Sequence, residues 1–315
     1  MKSSDLNLDE IDYLSRESIA NFAKSYSKSF PELKLTDSAL IAFLCHKFQL
    51  VGKSNLFNIA ALVTMDGTVT SGYGIVRNKY SFGDQNLDVG LVCDVFTSPE
   101  FRKMGMFKKV SLLAITREEL TTTNFLVGFP IRDEVMPGHL SVGWRHIFDM
   151  PLWWGLPRVG SKRNIERNQE LYASMFDSHE RAISLNINDE FLKWRFSLFD
   201  VNYHLVTVPD SRDFAIVRKS KFKGVSFTCI IYMQSTNKKN TKILVRKIRN
   251  LSLRLATVGV IGSWNDTYAN ELFLAYSGLR KSSRFQKVIV REISDFKCPN
   301  NENDFRLSWM DSDTL

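Results

Sequence analysis

The segment VFTSPEFRKMGMFKKV, residues 95–110, sets Pro99 and Gly105 between an apolar run of strand length and a stretch with helical periodicity. A junction of this kind binds anions. The first N–H groups of a helix have no partner within it, and the helix dipole adds roughly half a positive charge at the same end. Gly105 lets the backbone approach a phosphate with no side chain between, and Arg102, Lys103, Lys108 and Lys109 add positive field. The residues therefore predict a ligand with at least one pyrophosphate.

Several elements must position that loop. Before it, FNIAALVTM (57–65) and TVTSGYGIV (68–76) flank Asp66-Gly67, a strong hairpin signal, and DVGLVCDVF (88–96) is an apolar strand. After it, Met106, Val110, Leu113 and Ala114 fall on one helical face. FLVGFP (125–130) is a short buried strand. Pro137 can open a further helix and Gly143 can close it before a strand around residues 144–148.

Beyond the polar stretch SKRNIERNQE (161–170) the pattern recurs. FAIVRKSKF (214–222) and GVSFTCIIYM (224–233) read as paired strands. KILVRKIRNLSLRL (242–255) is a helix with Leu244, Ile248, Leu251 and Leu255 on one face. VGVIGSW, YANELFLAYSGL and FQKVIVREI then give strand, helix and strand. The junction QSTNKKNTK lacks the glycine loop, so no second cofactor is expected there.

A chain of 315 residues, 44% apolar, can bury one large core or two modest ones; two lobes are expected, divided near residue 160 into 1–160 and 161–315. Cys45, Cys93, Cys229 and Cys298 show neither metal-site nor disulfide spacing, which fits a reducing cytoplasm. The first residues carry no secretory pattern, and no stretch approaches the ~18 apolar residues of a membrane span. A net charge of +8 favours anionic ligands without choosing among them.

The loop resembles the motif [Q/R]-x-x-G-x-[G/A] of the GNAT superfamily of N-acyltransferases, in the order Arg102-Lys103-Met104-Gly105-Met106-Phe107. Phe107 replaces the usual small residue, as in a subset with T-x-P-x-x-R-x-x-G-[I/M]-F, which Thr97, Pro99, Arg102, Gly105, Met106 and Phe107 match. VGFP and Gly143-Trp144 resemble the family's fifth strand and its entry to the last strand. Ile131 stands where the family often has Asn. EFLKWRF (190–196) and FRLSWMDSDTL (305–315) are similar to strings in GNAT-like proteins encoded with bacterial surface-polysaccharide genes. The first-lobe resemblance spans about residues 28–150.

The resemblance implies an α/β (α+β) GNAT fold, with a central mixed, mostly antiparallel sheet flanked by helices, followed by a second, degenerate GNAT-like lobe. It implies acyl-CoA, acetyl-CoA above all, as co-substrate, with no metal. Backbone groups of Val95, Phe96 and Thr97 would pair with the pantetheine arm, and Arg102, Lys103, Met104, Gly105, Met106 and Phe107 would hold the pyrophosphate. The acyl group would pass to an amine of a small molecule or glycan, such as an amino sugar or nucleotide sugar. Nucleic acid is not the expected partner, and the oligomeric state is open.

Transfer needs a base and an oxyanion donor. Asp94 is the candidate base, on the strand face opposite Cys93 and Val95, and a main-chain N–H around Phe96 the candidate donor. Asp94 could instead cap a loop amide or pair with an arginine. His139 lies in the helix where some GNAT proteins carry a Tyr, and a lone His reads as packing or exposed. Asp311 and Asp313 would contact an amino-sugar substrate, or form a frayed tail. Trp153, Trp154 and Trp194-Arg195 read as packing or sugar stacking, and Arg246, Lys247, Arg249 and Arg254 as a solvated strip or an anion surface. Two alternatives stand beside transfer: a non-catalytic module that binds nucleic acid or anionic glycan, and a FemAB-type aminoacyltransferase.

Overall fold

A computed structural model describes residues 6–10, 16–31, 35–48, 58–64, 68–116, 122–130, 132–159, 166–167, 171–177, 181–196, 202–222, 224–265 and 271–311. They form two compact units, one of residues 1–79, 87–146 and 289–298, the other of residues 80–86, 147–288 and 299–315. Neither is one continuous stretch of chain.

The first unit contains β1 (Leu6–Glu10), α1 (Arg16–Ser29), α2 (Asp37–Phe48), β2 (Asn58–Thr64), most of β3 (Val69–Phe82) and β4 (Gln85–Thr97), α3 (Met106–Ile115), β5 (Phe125–Gly128) and α4 (Met136–Ser141). The second contains most of β6 (Arg145–Gly155), then β7 (Glu166–Arg167), β8 (Ile183–Leu185), α5 (Asp189–Phe196), β9 (Tyr203–Thr207), β10 (Phe214–Phe222), β11 (Val225–Gln234), α6 (Lys238–Arg254), β12 (Val260–Ser263) and α7 (Glu271–Tyr276). Most of β13 (Arg280–Glu292) and all of β14 (Phe305–Arg306) complete it.

In the first unit the strand order is β1-β2-β3-β4-β5-β13. β1/β2 and β2/β3 are antiparallel, β4/β5 is parallel across α3, and the far end of β13 closes the order antiparallel to β5, Ile289 opposite Gly128. The second unit has the order β7-β9-β10-β11-β12-β6, antiparallel as far as β11, parallel from β11 to β12 across α6, and antiparallel from β12 to β6. Each unit thus has one parallel pair bridged by a crossover helix, followed by an antiparallel neighbour. Asp66 and Gly67 lie outside the described residues, but β2 and β3 on either side are antiparallel, Val63 opposite Val69. The strand expected at residues 144–148 runs on to Gly155, because Trp153 alternates inward into an apolar cluster while Trp154 faces out.

Each crossover helix buries the face its periodicity marks. Met106, Val110 and Ala114 of α3 pack with Tyr73, Ile75, Val92, Leu126 and Trp144. Leu244, Val245, Ile248 and Leu251 of α6 pack with Val217, Ile230 and Trp264. Leu255 lies one residue past the helix and is only partly buried. Full burial of one such aliphatic chain contributes about 2 kcal/mol. The mixed sheet flanked by helices is the one expected. No helix among the described residues is long and apolar enough to cross a membrane.

Candidate functional site

β4 and β5 pair from Val89 opposite Phe125 to Val92 opposite Gly128; β5 ends there, whereas β4 continues to Thr97. Within that overhang Asp94 has φ +49, a left-handed conformation that L side chains seldom take. It breaks the alternation of the strand. Val92 and Val95 both join the cluster beneath α3, while Asp94 and Phe96 both meet α1. The Phe96 ring sits edge-on to Phe22 at 5.2 Å and to Tyr26 at 5.7 Å. A side chain at Gly72 would collide with both Phe96 and Phe22.

The backbone expected to receive a pantetheine arm already has some partners. Ser71 Oγ donates to the Phe96 carbonyl at 2.8 Å, Arg102 Nε to the Thr97 carbonyl at 3.3 Å, and Ser98 N to Thr70 O at 2.9 Å. A carbonyl has two lone pairs, so Phe96 and Thr97 keep a second acceptor site.

The chain then makes a short 3₁₀ turn, Pro99–Phe101, and enters α3 through two left-handed residues, Lys103 at φ +66 and Gly105 at φ +75. Gly105 is the N-cap of α3, no side chain caps the helix, and Lys109 N donates back to Gly105 O at 3.2 Å. The amides of Gly105, Met106, Phe107 and Lys108 therefore precede the helical ladder. A β-carbon built on Gly105 would meet nothing within 4 Å. Arg102, Lys103 and Lys108 are exposed around this opening, whereas Met106 points into the core. Open space, leading amides and cations fit a phosphate ester.

The matching junction of the second unit is filled by the protein itself. Asn237 caps α6 by accepting from Asn240 N, and buried Asp213 accepts from Thr236 N at 3.1 Å and Asn240 Nδ2 at 2.6 Å. A carboxylate of the chain thus sits where an external anion would otherwise be drawn.

Phe107, the departure from the family's small residue, is accommodated by Gly138 of α4, whose added β-carbon would lie 2.9 Å from its ring. Beside it His139 is buried, edge-on to Phe107 at 4.9 Å and to Trp144 at 5.4 Å. Burial lowers the His139 pKa to about 4. Of the two roles read from the sequence, packing or exposed, the ring takes the packing one. Since the imidazole protonates less readily when folded, its contribution to stability is complete above pH 6.5 and is lost as pH falls toward 4. The expected loss is about 3 kcal/mol across that interval. Urea unfolding of His139→Leu at pH 7 and at acidic pH should show that part of the acid sensitivity removed; an unchanged pH profile would contradict the buried neutral imidazole.

No protein-family model matches the chain, and no curated protein does. Solved structures do. A probable N-acyltransferase from Enterococcus faecalis superposes with TM-score 0.63 at 12% identity, over 91% of this chain and 73% of its own. A GCN5-related N-acetyltransferase from Anabaena variabilis gives 0.63 at 11%, over 92% and 73%. Saccharomyces cerevisiae N-myristoyltransferase with bound myristoyl-CoA gives 0.62 at 11%, over 92% and 83%. The chain has the GNAT fold.

Within the GNAT fold the candidate base has company that the sequence did not reveal. Lys47 Nζ of α2 lies 2.6 Å from Asp94 Oδ2, and Tyr26 of α1 donates its hydroxyl to Oδ1 at 2.8 Å. Both members of the ion pair are buried, with side chains 6% and 3% exposed. A cation does pair with Asp94, but it is a lysine 47 positions earlier, and nothing in the local spacing points to it. Asp311 belongs to the second unit and is buried rather than frayed; Asp313 lies outside the described residues. Trp153, Trp194 and Arg195 are packing residues, Arg195 donating to the Trp309 carbonyl. In the basic strip, Lys247 and Arg249 donate to the carbonyls of Thr207 and Leu156, while Arg246 and Arg254 face solvent. Among the described residues, no group of three His, Cys, Asp or Glu side chains could hold a metal ion.

Proposed function

We propose that the chain transfers an acetyl or longer acyl group from acyl-CoA to an amine, with the donor held at the β4–α3 junction. The observation that carries the proposal is the uncapped N-terminus of α3 behind a left-handed Gly105, with open space in front of it. In this reading Met104, Gly105, Met106 and Phe107 present main-chain amides to the pyrophosphate, Arg102 and Lys103 add charge, and Val95, Phe96 and Thr97 line the arm. The thioester then lies where β4 outruns β5. Fixing amine and thioester side by side there supplies an effective molarity on the order of 10⁵ M. Asp94 takes the proton of the ammonium, and an N–H near Phe96 steadies the oxyanion. An amino sugar or nucleotide sugar is the proposed acceptor, and the second unit is proposed as a degenerate copy of the first.

One observation favours a second reading. Asp94 is closed into a buried pair with Lys47, which suits a protein that binds acyl-CoA through this junction without turning it over.

Titration calorimetry tests the donor site. Acetyl-CoA and dephospho-CoA are expected to bind in the micromolar range, and pantetheine, which lacks the pyrophosphate, at least about tenfold more weakly. Equal binding of all three, or salt-sensitive binding of polyanions alone, would remove the donor site.

A further inference from the structure

α6 holds nearly the whole charge imbalance of the chain. Its 17 residues, KKNTKILVRKIRNLSLR, have Lys or Arg at seven positions and no acid, against a net charge of +8 for all 315 residues. One face of the helix is buried through Leu244, Val245, Ile248 and Leu251, so the charges are turned onto the other. Lys238, Lys239, Lys242, Arg246 and Arg254 are exposed, and among the described residues none of the helix's cations makes an ion pair. Like charges at i, i+4 spacing repel, and an external anionic partner would relieve them.

The segment leaving β6 extends this face. Arg249 Nε donates to Leu156 O at 2.7 Å, and Arg158 N donates to Arg249 O at 3.0 Å, which lays residues 156–159 beside the later turns of α6. Arg158 is exposed and adds an eighth cation. Burial and the nearby Arg158 guanidinium both lower the Arg249 pKa. Apolar side chains stand out among these charges. Val159 is 86% exposed and Leu156 60%, and Leu253, one turn beyond Arg249, is exposed as well. Nearer the start of α6, the exposed Tyr276 of α7 has the Lys238 ammonium over its ring at 3.3 Å.

We propose that this face rests on an anionic phospholipid surface, with the cations of α6 at the phosphates and Leu156, Val159 and Leu253 entering the boundary of the acyl chains. Cations alone would suit any polyanion. The aliphatic side chains decide the choice, because they gain free energy on leaving water for hydrocarbon, whereas a nucleic acid offers them charged phosphates and bases on which only flat groups stack. Binding of this kind belongs to the second unit alone and is independent of acyl transfer.

The test is sedimentation of the full chain, without acyl-CoA, with vesicles of phosphatidylcholine alone and of phosphatidylcholine mixed with phosphatidylserine. The mixed vesicles are expected to bind at least about tenfold more tightly, and added salt should erode the preference. A Lys242→Glu, Arg246→Glu variant reverses two exposed charges and should lose about tenfold or more. The same change at two exposed lysines of the first unit, Lys24→Glu with Lys297→Glu, should lose far less. Leu156→Ser with Val159→Ser should weaken vesicle binding severalfold and leave the affinity for poly(U) as it was. Every substituted side chain is exposed, and urea melts check that each variant keeps the stability of the parent. No preference for phosphatidylserine, an equal loss in the two charge variants, unchanged vesicle binding without Leu156 and Val159, or tighter binding to poly(U) than to the mixed vesicles would overturn the proposal. Because acyl-CoA is left out, none of these results bears on the donor site.

Discussion

Gly105→Glu is expected to abolish acyl-CoA binding while the chain still unfolds cooperatively. The position is left-handed, so any β-carbon there costs about 1 to 2 kcal/mol. No atom lies within 4 Å of that β-carbon, so the fold has nothing further to rearrange. The glutamate would project into the opening in front of the α3 amides and place a carboxylate where the pyrophosphate is proposed to lie. Losing two charge-assisted bonds removes about 3 kcal/mol, roughly a hundredfold in affinity, before the repulsion is counted. Gly105→Ala carries the same backbone cost without the charge and should lose only a few-fold. Calorimetry with acetyl-CoA beside urea unfolding separates the two effects. Normal binding by a folded Gly105→Glu variant would move the donor site elsewhere.

The second large effect concerns Asp94. Asp94→Asn leaves the Lys47 ammonium buried without its counter-charge, which should destabilise the first unit by about 3 to 5 kcal/mol. Removing both charges is different. A Lys47→Met, Asp94→Leu double variant fills similar space with apolar atoms and should regain most of that stability in urea melts. The same variant decides the chemistry. If Asp94 is the base, the refolded double variant binds acetyl-CoA and loses about a hundredfold or more in turnover. Retained turnover would make Asp94 an anchor tying α1 and α2 to β4. A double variant no more stable than the single one would contradict the ion-pair account.

How far the sequence could be read depended on whether the physics was local. The start of α3 at Met106, its buried face and the closing Gly143 follow from periodicity and glycine conformation within a few residues, and each stands where it was expected. Long-range partners were invisible. Tyr26 lies 68 positions from Asp94, and Asp213 reaches Asn240 across 27. Gly138 carried a faint signal: a glycine five residues before Gly143 makes little sense for the helix alone and much for the bulky Phe107 beside it. The left-handed turn at Asp94 had none, because it lies inside an apolar run whose alternation predicted an extended strand throughout.

The pairing of β5 with Ile289–Glu292 has a consequence for how such a gene can change. Without Ile289–Glu292, the edge of β5 from Phe125 to Gly128 that faces away from β4 would be bare. A fission of the coding sequence between Gly128 and Ile289 would therefore expose an unpaired sheet edge on both fragments.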